Sequence, residues 1–233
     1  MRITKTKPYQ CSYLKNEMAK VEIAQLPNVL SQKKFSDLIA SGYRRSGNYT
    51  YRPICENCSK CLPIRIPTQT FLPSKTQKKT YRNLKSALTA EISPLEFSEA
   101  AFLLFENYQR TRHPETFENL NAREVFENLL LRSCTTSKLI NYYDTADRLR
   151  LVSVIDILTD GISSVYTFYD TEDLNHSFGT FAILWQIEEC KRQSKDYLYL
   201  GYLIKECNRM KYKTNFKPYE IFLVDDWKKI EDY

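Results

Sequence analysis

The chain reads as an α/β protein of the α+β kind, a mixed sheet with helices on its faces, preceded by a small N-terminal cysteine-containing domain. Two observations predict this. From about residue 94, helix-period segments give way to period-two apolar runs joined by tight turns, then to one more helix and one more strand. Residues 1–72, by contrast, are broken by Pro8, Pro27, Pro53, Pro63 and Pro67 into short apolar runs such as 64–66, the pattern of short strands. We therefore divide the chain into a unit at 1–72 and a unit at 73–233. At 233 residues and 42% hydrophobic content, it is long enough to bury a real core.

The elements follow in order. Ser93, Pro94 and Glu96 give a cap, a first-turn proline and an acid three residues after the cap, so a helix is predicted over 94–112 with Phe97, Ala101, Leu104, Phe105 and Tyr108 on one face. Asn121 with Glu124 opens a second helix that buries Val125, Leu129 and Leu130. Strands are predicted at 139–143, 150–158 and 163–169, the last after the Asp160-Gly161 turn, then a helix at 177–192 and a strand at 197–202. This order resembles the acyl-CoA N-acyltransferase-like architecture. In such a fold the strands at 163–169 and 197–202 splay into a cleft, and the helix beginning near Gly179 presents its N-terminal amides to it. The glycine-rich loop with which acetyltransferases hold the coenzyme A pyrophosphate is missing. His176-Ser177-Phe178-Gly179-Thr180 stands in its place and argues for a different acyl donor. Asp225, Asp226 and the last residues read as a surface tail.

Charge is focused. Residues 42–82 hold nine Lys and Arg against the single acid Glu56, so subtracting this +8 from the net +6 leaves −2 for the remainder. Gly42 and Gly47 bracket Arg44 and Arg45, and Tyr43, Tyr49, Tyr51, Phe71 and Tyr81 are interleaved with the cations, as stacking on bases beside phosphate contacts requires. The alternative is a solvated basic loop among ordinary core tyrosines. A second basic stretch, 205–217, carries five cations and one acid with Met210, Tyr212 and Phe216 between them. No apolar run approaches a membrane span and the first residues lack a secretory h-region, so a cytoplasmic protein without membrane partners is expected.

Seven cysteines are odd in number, which disfavours a disulfide framework. Cys55-x2-Cys58-x2-Cys61 offers three thiolates at metal-site spacing and Cys11 a fourth, for zinc or an iron–sulfur cluster. Buried or redox-sensitive free thiols are the other reading. His113 reads as a helix terminus and His176 as a loop or cap residue.

RRSGNYTYRPICENCSKCLPIRIP at 44–67, PSKTQKK at 73–79, YQRTRH at 108–113, YTFYD at 166–170, SFGTFAILWQIEEC at 177–190 and YLYLGYLIKECNRMKYKTNFKPYE at 197–220 run in order over nearly the whole chain. Together they resemble the bacterial aspartate/glutamate leucyltransferases, relatives of the eukaryotic arginyl-tRNA–protein transferases. The resemblance implies transfer of leucine from leucyl-tRNA to proteins whose N-terminal residue is Asp or Glu, which marks them for degradation. Neither ATP, coenzyme A nor a covalent enzyme intermediate is required, because the ester is already activated. The related arginyl transferases are associated with an iron–sulfur cluster, but their cysteine pattern differs from Cys11-Ser-Tyr-Leu14 here. On this reading Arg44, Arg45, Asn48, Tyr51, Arg52, Lys75, Lys78, Lys79, Arg82, Lys211 and Lys213 contact tRNA or the acidic acceptor. Asp156, Asp170, Tyr166, Tyr169 and Tyr202 are the candidates for moving a proton or polarising the ester, with turn, cap and core roles as their alternatives. Arginine in place of leucine as donor, an RNA-binding module without chemistry, and a coenzyme A-dependent acetyltransferase are the competing functions.

Overall fold

Short runs at the start of the chain pair into a small sheet. In the computed structural model, which describes residues 2–25, 31–114, 121–172 and 177–230, β1 (Arg2–Lys5), β4 (Val21–Gln25), β5 (Arg44–Ser46) and β6 (Tyr49–Pro53) form an antiparallel sheet in the order β1-β4-β6-β5. A separate hairpin is made by β2 (Tyr9–Gln10) and β3 (Met18–Ala19). Helix α1 (Gln32–Ala40) starts at Ser31, whose hydroxyl accepts from the Lys34 amide, and buries Phe35 and Ile39 against Leu158 and Tyr199. The next strand, β7 (Leu62–Pro67), leaves this small sheet. Its Ile64 and Ile66 enter the main core, and it pairs on both sides with strands of the C-terminal half. The large sheet therefore continues across the boundary placed at residue 72, and the two parts share backbone hydrogen bonds.

That large sheet has eight strands in the order β14-β13-β7-β12-β11-β10-β9-β8. They are β8 (Leu88–Ser93), β9 (Ser137–Asp144), β10 (Leu149–Ile157), β11 (Gly161–Tyr169), β12 (Tyr197–Leu203), β13 (Tyr219–Leu223) and β14 (Asp226–Ile230), with β7 between β12 and β13. Every pairing is antiparallel except β11 with β12. Alternation along β10 sends Leu151 and Ile155 to one face and Val152 and Val154 to the other. Helices α2 (Lys75–Ala87) and α5 (Phe178–Arg192) cover the first face through Leu84, Phe181, Leu184 and Ile187. The second is covered by α3 (Glu99–Arg112) and α4 (Ala122–Phe126) through Phe105 and Phe126. Each fully buried side chain of this size contributes roughly 1.5–3 kcal/mol relative to exposure. A one-turn helix, α6 (Asn208–Lys211), and a 3-10 turn (Tyr212–Asn215) connect β12 to β13. No helix among the described residues is long and apolar enough to cross a membrane.

Three expectations are corrected. The helix predicted from residue 94 begins at Glu99, capped by Ser98, while Ser93 ends β8 and pairs with Leu139. Residues 75–87, read only as a basic segment, form α2 behind a full capping box between Ser74 and Gln77. Asp226 belongs to β14, not to a surface tail. The β13–β14 hairpin turns through Val224 and Asp225, both at positive φ, and Trp227 donates its indole hydrogen to the Ala40 carbonyl at 2.8 Å.

Candidate functional site

The parallel pair β11 and β12 is in register only across Gly161–Tyr197, Ile162–Leu198 and Ser163–Tyr199. Beyond that point the strands part, and the gap is entered from outside the sheet. Arg44, on β5, reaches in and donates from Nη2 to the Val165 carbonyl at 2.8 Å. Gly201 on β12 makes room for it. A Cβ there would stand 3.1 Å from Arg44 Nη1 and 3.2 Å from its Cζ, and its φ of +74° is itself a glycine conformation.

The parted strands open a cleft of about 700 Å³. Tyr166 and Tyr169 come from β11 and Asp170 from just beyond its end, Tyr108, Arg112 and His113 from the end of α3, Ser177, Gly179 and Thr180 from the start of α5, and Tyr212 and Lys213 from the segment after β12. Tyr13 closes the N-terminal side. Ser177, at the N-cap of α5, makes no side-chain bond to the helix amides.

The electrostatics of this cleft are one-sided. Arg44, half-buried among Tyr13, Tyr51, Tyr202 and Tyr212, has no carboxylate partner among the described residues. Lys213 is 5% exposed, donates from Nζ to the Tyr202 carbonyl and also lacks an acidic partner among the described residues. Burial, reinforced by the Arg44 charge and opposed by Cys207, pulls its ammonium down to about 7. The cleft-lining acid Asp170 is held by Arg150 Nε at 3.0 Å and accepts from the Glu172 amide. Tyr166 accepts from Gln109 Nε2 at 2.7 Å, which leaves its own hydroxyl hydrogen for donation. Burial raises the Tyr166 phenol, with the Gln109 bond opposing, so at neutral pH it is a hydrogen-bond donor and not a base. His113 terminates α3 as expected and also lines the cleft, with Nδ1 3.4 Å from Arg209 Nη1. Its imidazole is held below the usual value by burial, then by Arg209 and Arg112.

Several predicted site residues lie elsewhere. Arg45 and Asp156 are fully buried and paired to each other, Nε to Oδ2 at 2.8 Å and to Oδ1 at 3.0 Å, so neither meets RNA nor a reacting amine. Tyr202 is buried with its hydroxyl on the Gly42 and Tyr51 carbonyls at 2.9 and 3.1 Å and does not line the cleft. Arg52 is ion-paired to Glu22 at 3.0 Å and lies over the Tyr43 ring, and Tyr51 is half-buried with its ring 6.1 Å from that of Tyr202. Tyr43 and Phe71 are buried and unavailable for stacking on bases. Asn48 is exposed at the β5–β6 turn, and Lys211 is exposed beside the cleft. Lys75, Lys78, Lys79 and Arg82 are exposed along one stripe of α2, three and four residues apart, with no ion pair to an acid among the described residues. His176 lies outside the described residues.

Among the described residues no three His, Cys, Asp or Glu side chains are gathered as metal ligands would be. Cys61 is pushed up to about 12 by burial and then by Cys55, Cys11 and Cys58, which lie near it. Cys55 donates to the Lys20 carbonyl. As placed, these thiols do not fit a bound metal or cluster, which would draw them together as thiolates.

The family profile "Arginine-tRNA-protein transferase, N terminus" matches residues 9–79, and the profile for the C terminus of the same family matches residues 100–223. A protein named aspartate/glutamate leucyltransferase from Polynucleobacter asymbioticus is 39% identical over 227 residues, covering 95% of this chain and 91% of its own. One of the same name from Methylobacillus flagellatus is 40% identical over 225 residues, covering 97% and 90%. Among solved structures, L-PGS from Bacillus licheniformis superposes with a TM-score of 0.52 at 10% identity, over 72% of this chain and 58% of that one, a likeness of fold alone. The fold is thus an acyltransferase-like mixed sheet, and identity at this level over nearly full length decides the rest: the chain belongs to the aspartate/glutamate leucyltransferase family.

Proposed function

We propose that this protein takes leucine from leucyl-tRNA and joins it by a peptide bond to the α-amine of proteins that begin with Asp or Glu, marking them for degradation. The observation that carries this reading is the half-buried Arg44, which ends in the cleft without a carboxylate partner among the described residues. A cation withdrawn from water costs free energy until an anion joins it, and an acceptor's acidic side chain is such an anion. The forked guanidinium suits a carboxylate better than an ammonium would.

The donor end is supported by α2. Lys75, Lys78, Lys79 and Arg82 form an exposed cationic stripe that suits a phosphate backbone, and Lys211 and Asn48 extend the polar surface. In the cleft the tyrosines offer faces to the terminal base and ribose, and Tyr166 offers a hydroxyl to the developing oxyanion. Asp170 with Arg150 fixes the end of β11. An aminoacyl ester needs alignment with the amine more than activation, so placement supplies much of the acceleration. A zinc ion or iron–sulfur cluster at Cys11, Cys55, Cys58 and Cys61 would require those thiols to close in, and the transfer proposed here uses no group bound there. Neither coenzyme A nor a membrane enters it, and the reading suits a cytoplasmic enzyme.

Radiolabelled leucyl-tRNA offered with peptides starting in Asp, Glu or Arg tests the proposal. Leucine is expected on the first two only. Leucine on none of them overturns the enzyme reading, and arginine transferred from arginyl-tRNA in its place replaces the donor.

A further inference from the structure

Lys213 is a buried amine with no acid beside it among the described residues. Its Nζ donates to the Tyr202 carbonyl, and it lines the same cleft as Arg44, whose charge it senses directly. On the reading that Arg44 receives the acceptor's carboxylate, the α-amine lies three bonds from the carboxyl carbon of Asp and four from that of Glu, which brings it to the neighbourhood of Lys213. We infer that Lys213 is the proton carrier of the transfer. Attack forms the bond between the acceptor nitrogen and the leucyl carbonyl carbon. The free ε-amine takes the proton this nitrogen must lose, and returns it to the ribose oxygen as the carbon–oxygen bond breaks, so that Lys213 ends each turnover as it began.

The other titratable groups are unsuited to this work. Asp156 is sealed against Arg45, Asp170 is committed to Arg150, and His113 has Nδ1 turned to Arg209. Burial pushes the phenols of Tyr13, Tyr166 and Tyr212 upward, so each keeps its proton at neutral pH. Lys213 itself is faced by Arg44 from β5 and Cys207 ahead of α6, with Arg209 and Tyr212 on its own segment. Arg44 favours its neutral form, which burial already favours, and Cys207 opposes it.

Lys213→Arg keeps a permanent cation that cannot give up its proton, and Lys213→Ala leaves space for an added amine. With leucyl-tRNA and an N-terminal Asp peptide under single turnover, we expect Lys213→Arg to lose about 100-fold or more in rate while tRNA affinity holds within about threefold. Small primary amines should restore Lys213→Ala in proportion to their free base, with rescue rising as pH rises. Lys213→Arg at the wild-type rate, rescue that follows the ammonium form, or a folded Lys213→Ala that no amine rescues would each overturn the inference. The reading beneath it fails separately: a wild-type protein that transfers no leucine removes the function, whereas an active wild type matched by Lys213→Arg removes only Lys213.

Discussion

Replacing Arg45 by Met should unfold the protein before it weakens any contact with RNA. The guanidinium lies at 2.8 and 3.0 Å from the two oxygens of Asp156, and its Nη1 donates to the Gly47 and Arg132 carbonyls at 2.9 and 2.8 Å, with both charged side chains sealed from water. Removing it leaves the Asp156 carboxylate with the Ser137 hydroxyl and strands two carbonyls. Breaking one side of a buried pair costs about 3–5 kcal/mol, against a total stability of roughly 5–15 kcal/mol. For a chain of this length that is a fall in Tm of about 6–20 °C. Asp156→Leu in the Arg45→Met background should recover part of the loss, because the remaining charge is gone. Urea denaturation of the two single variants and the double gives the coupling, and filter binding below the transitions gives tRNA affinity. An Arg45→Met protein with unchanged Tm and weakened tRNA binding would refute the reasoning and return Arg45 to the RNA surface.

Gly201→Ala places a methyl 3.1 Å from the Arg44 guanidinium at a φ of +74°, so transfer to Asp peptides should fall at least tenfold, measured as kcat/KM, with about 1–2 kcal/mol lost in stability. Neutralising Lys75, Lys78, Lys79 and Arg82 to Gln should weaken leucyl-tRNA binding and lower its log–log salt slope by roughly 0.7–0.9 for each phosphate left without its cation, with kcat at saturation unchanged. Lys213 has a folded value of about 7, below the roughly 10.4 of an unfolded lysine. Between the two the unfolded chain holds a proton that the folded one lacks, so stability from this group rises with pH through that window, by at most about 1.4 kcal/mol per unit. Lys213→Met should abolish this rise in urea titrations at pH 7, 8 and 9. A wild-type-minus-variant difference that stays flat there would show Lys213 to be solvated.

The meander and the helix before it were legible because their signals are local. Alternation along 150–158, the Asp160-Gly161 turn and the Asn121 cap are each written in a few residues, and the structure places β10, β11 and α4 accordingly. Ser93-Pro94 misled because pairing of Ser93 with Leu139, far along the chain, outweighed a good local cap, and Ser98 took over that role. The spacing Ser74-x-x-Gln77 with Leu84 on the opposite stripe marks α2 as clearly, but the density of lysines drew it into a charge argument. Arg44 and Arg45 show what composition misses. Adjacent residues of a strand face opposite ways, so one cation enters the cleft and the next enters the core, where only the fold brings Asp156 to meet it. The burial of Lys213, and the space beside Gly201 that Arg44 fills, depend on the parting of β11 from β12 and have no local signature.

The central claim is that Arg44 waits in the cleft for the acceptor's carboxylate. The ratio of kcat/KM for peptides starting in Asp to those starting in Asn, measured with leucyl-tRNA in wild type and in Arg44→Gln, tests it most directly. A charge-assisted contact of about 3 kcal/mol predicts a wild-type preference of about 100-fold that collapses toward one in the variant. A folded, active Arg44→Gln that keeps the full preference for Asp would contradict the account.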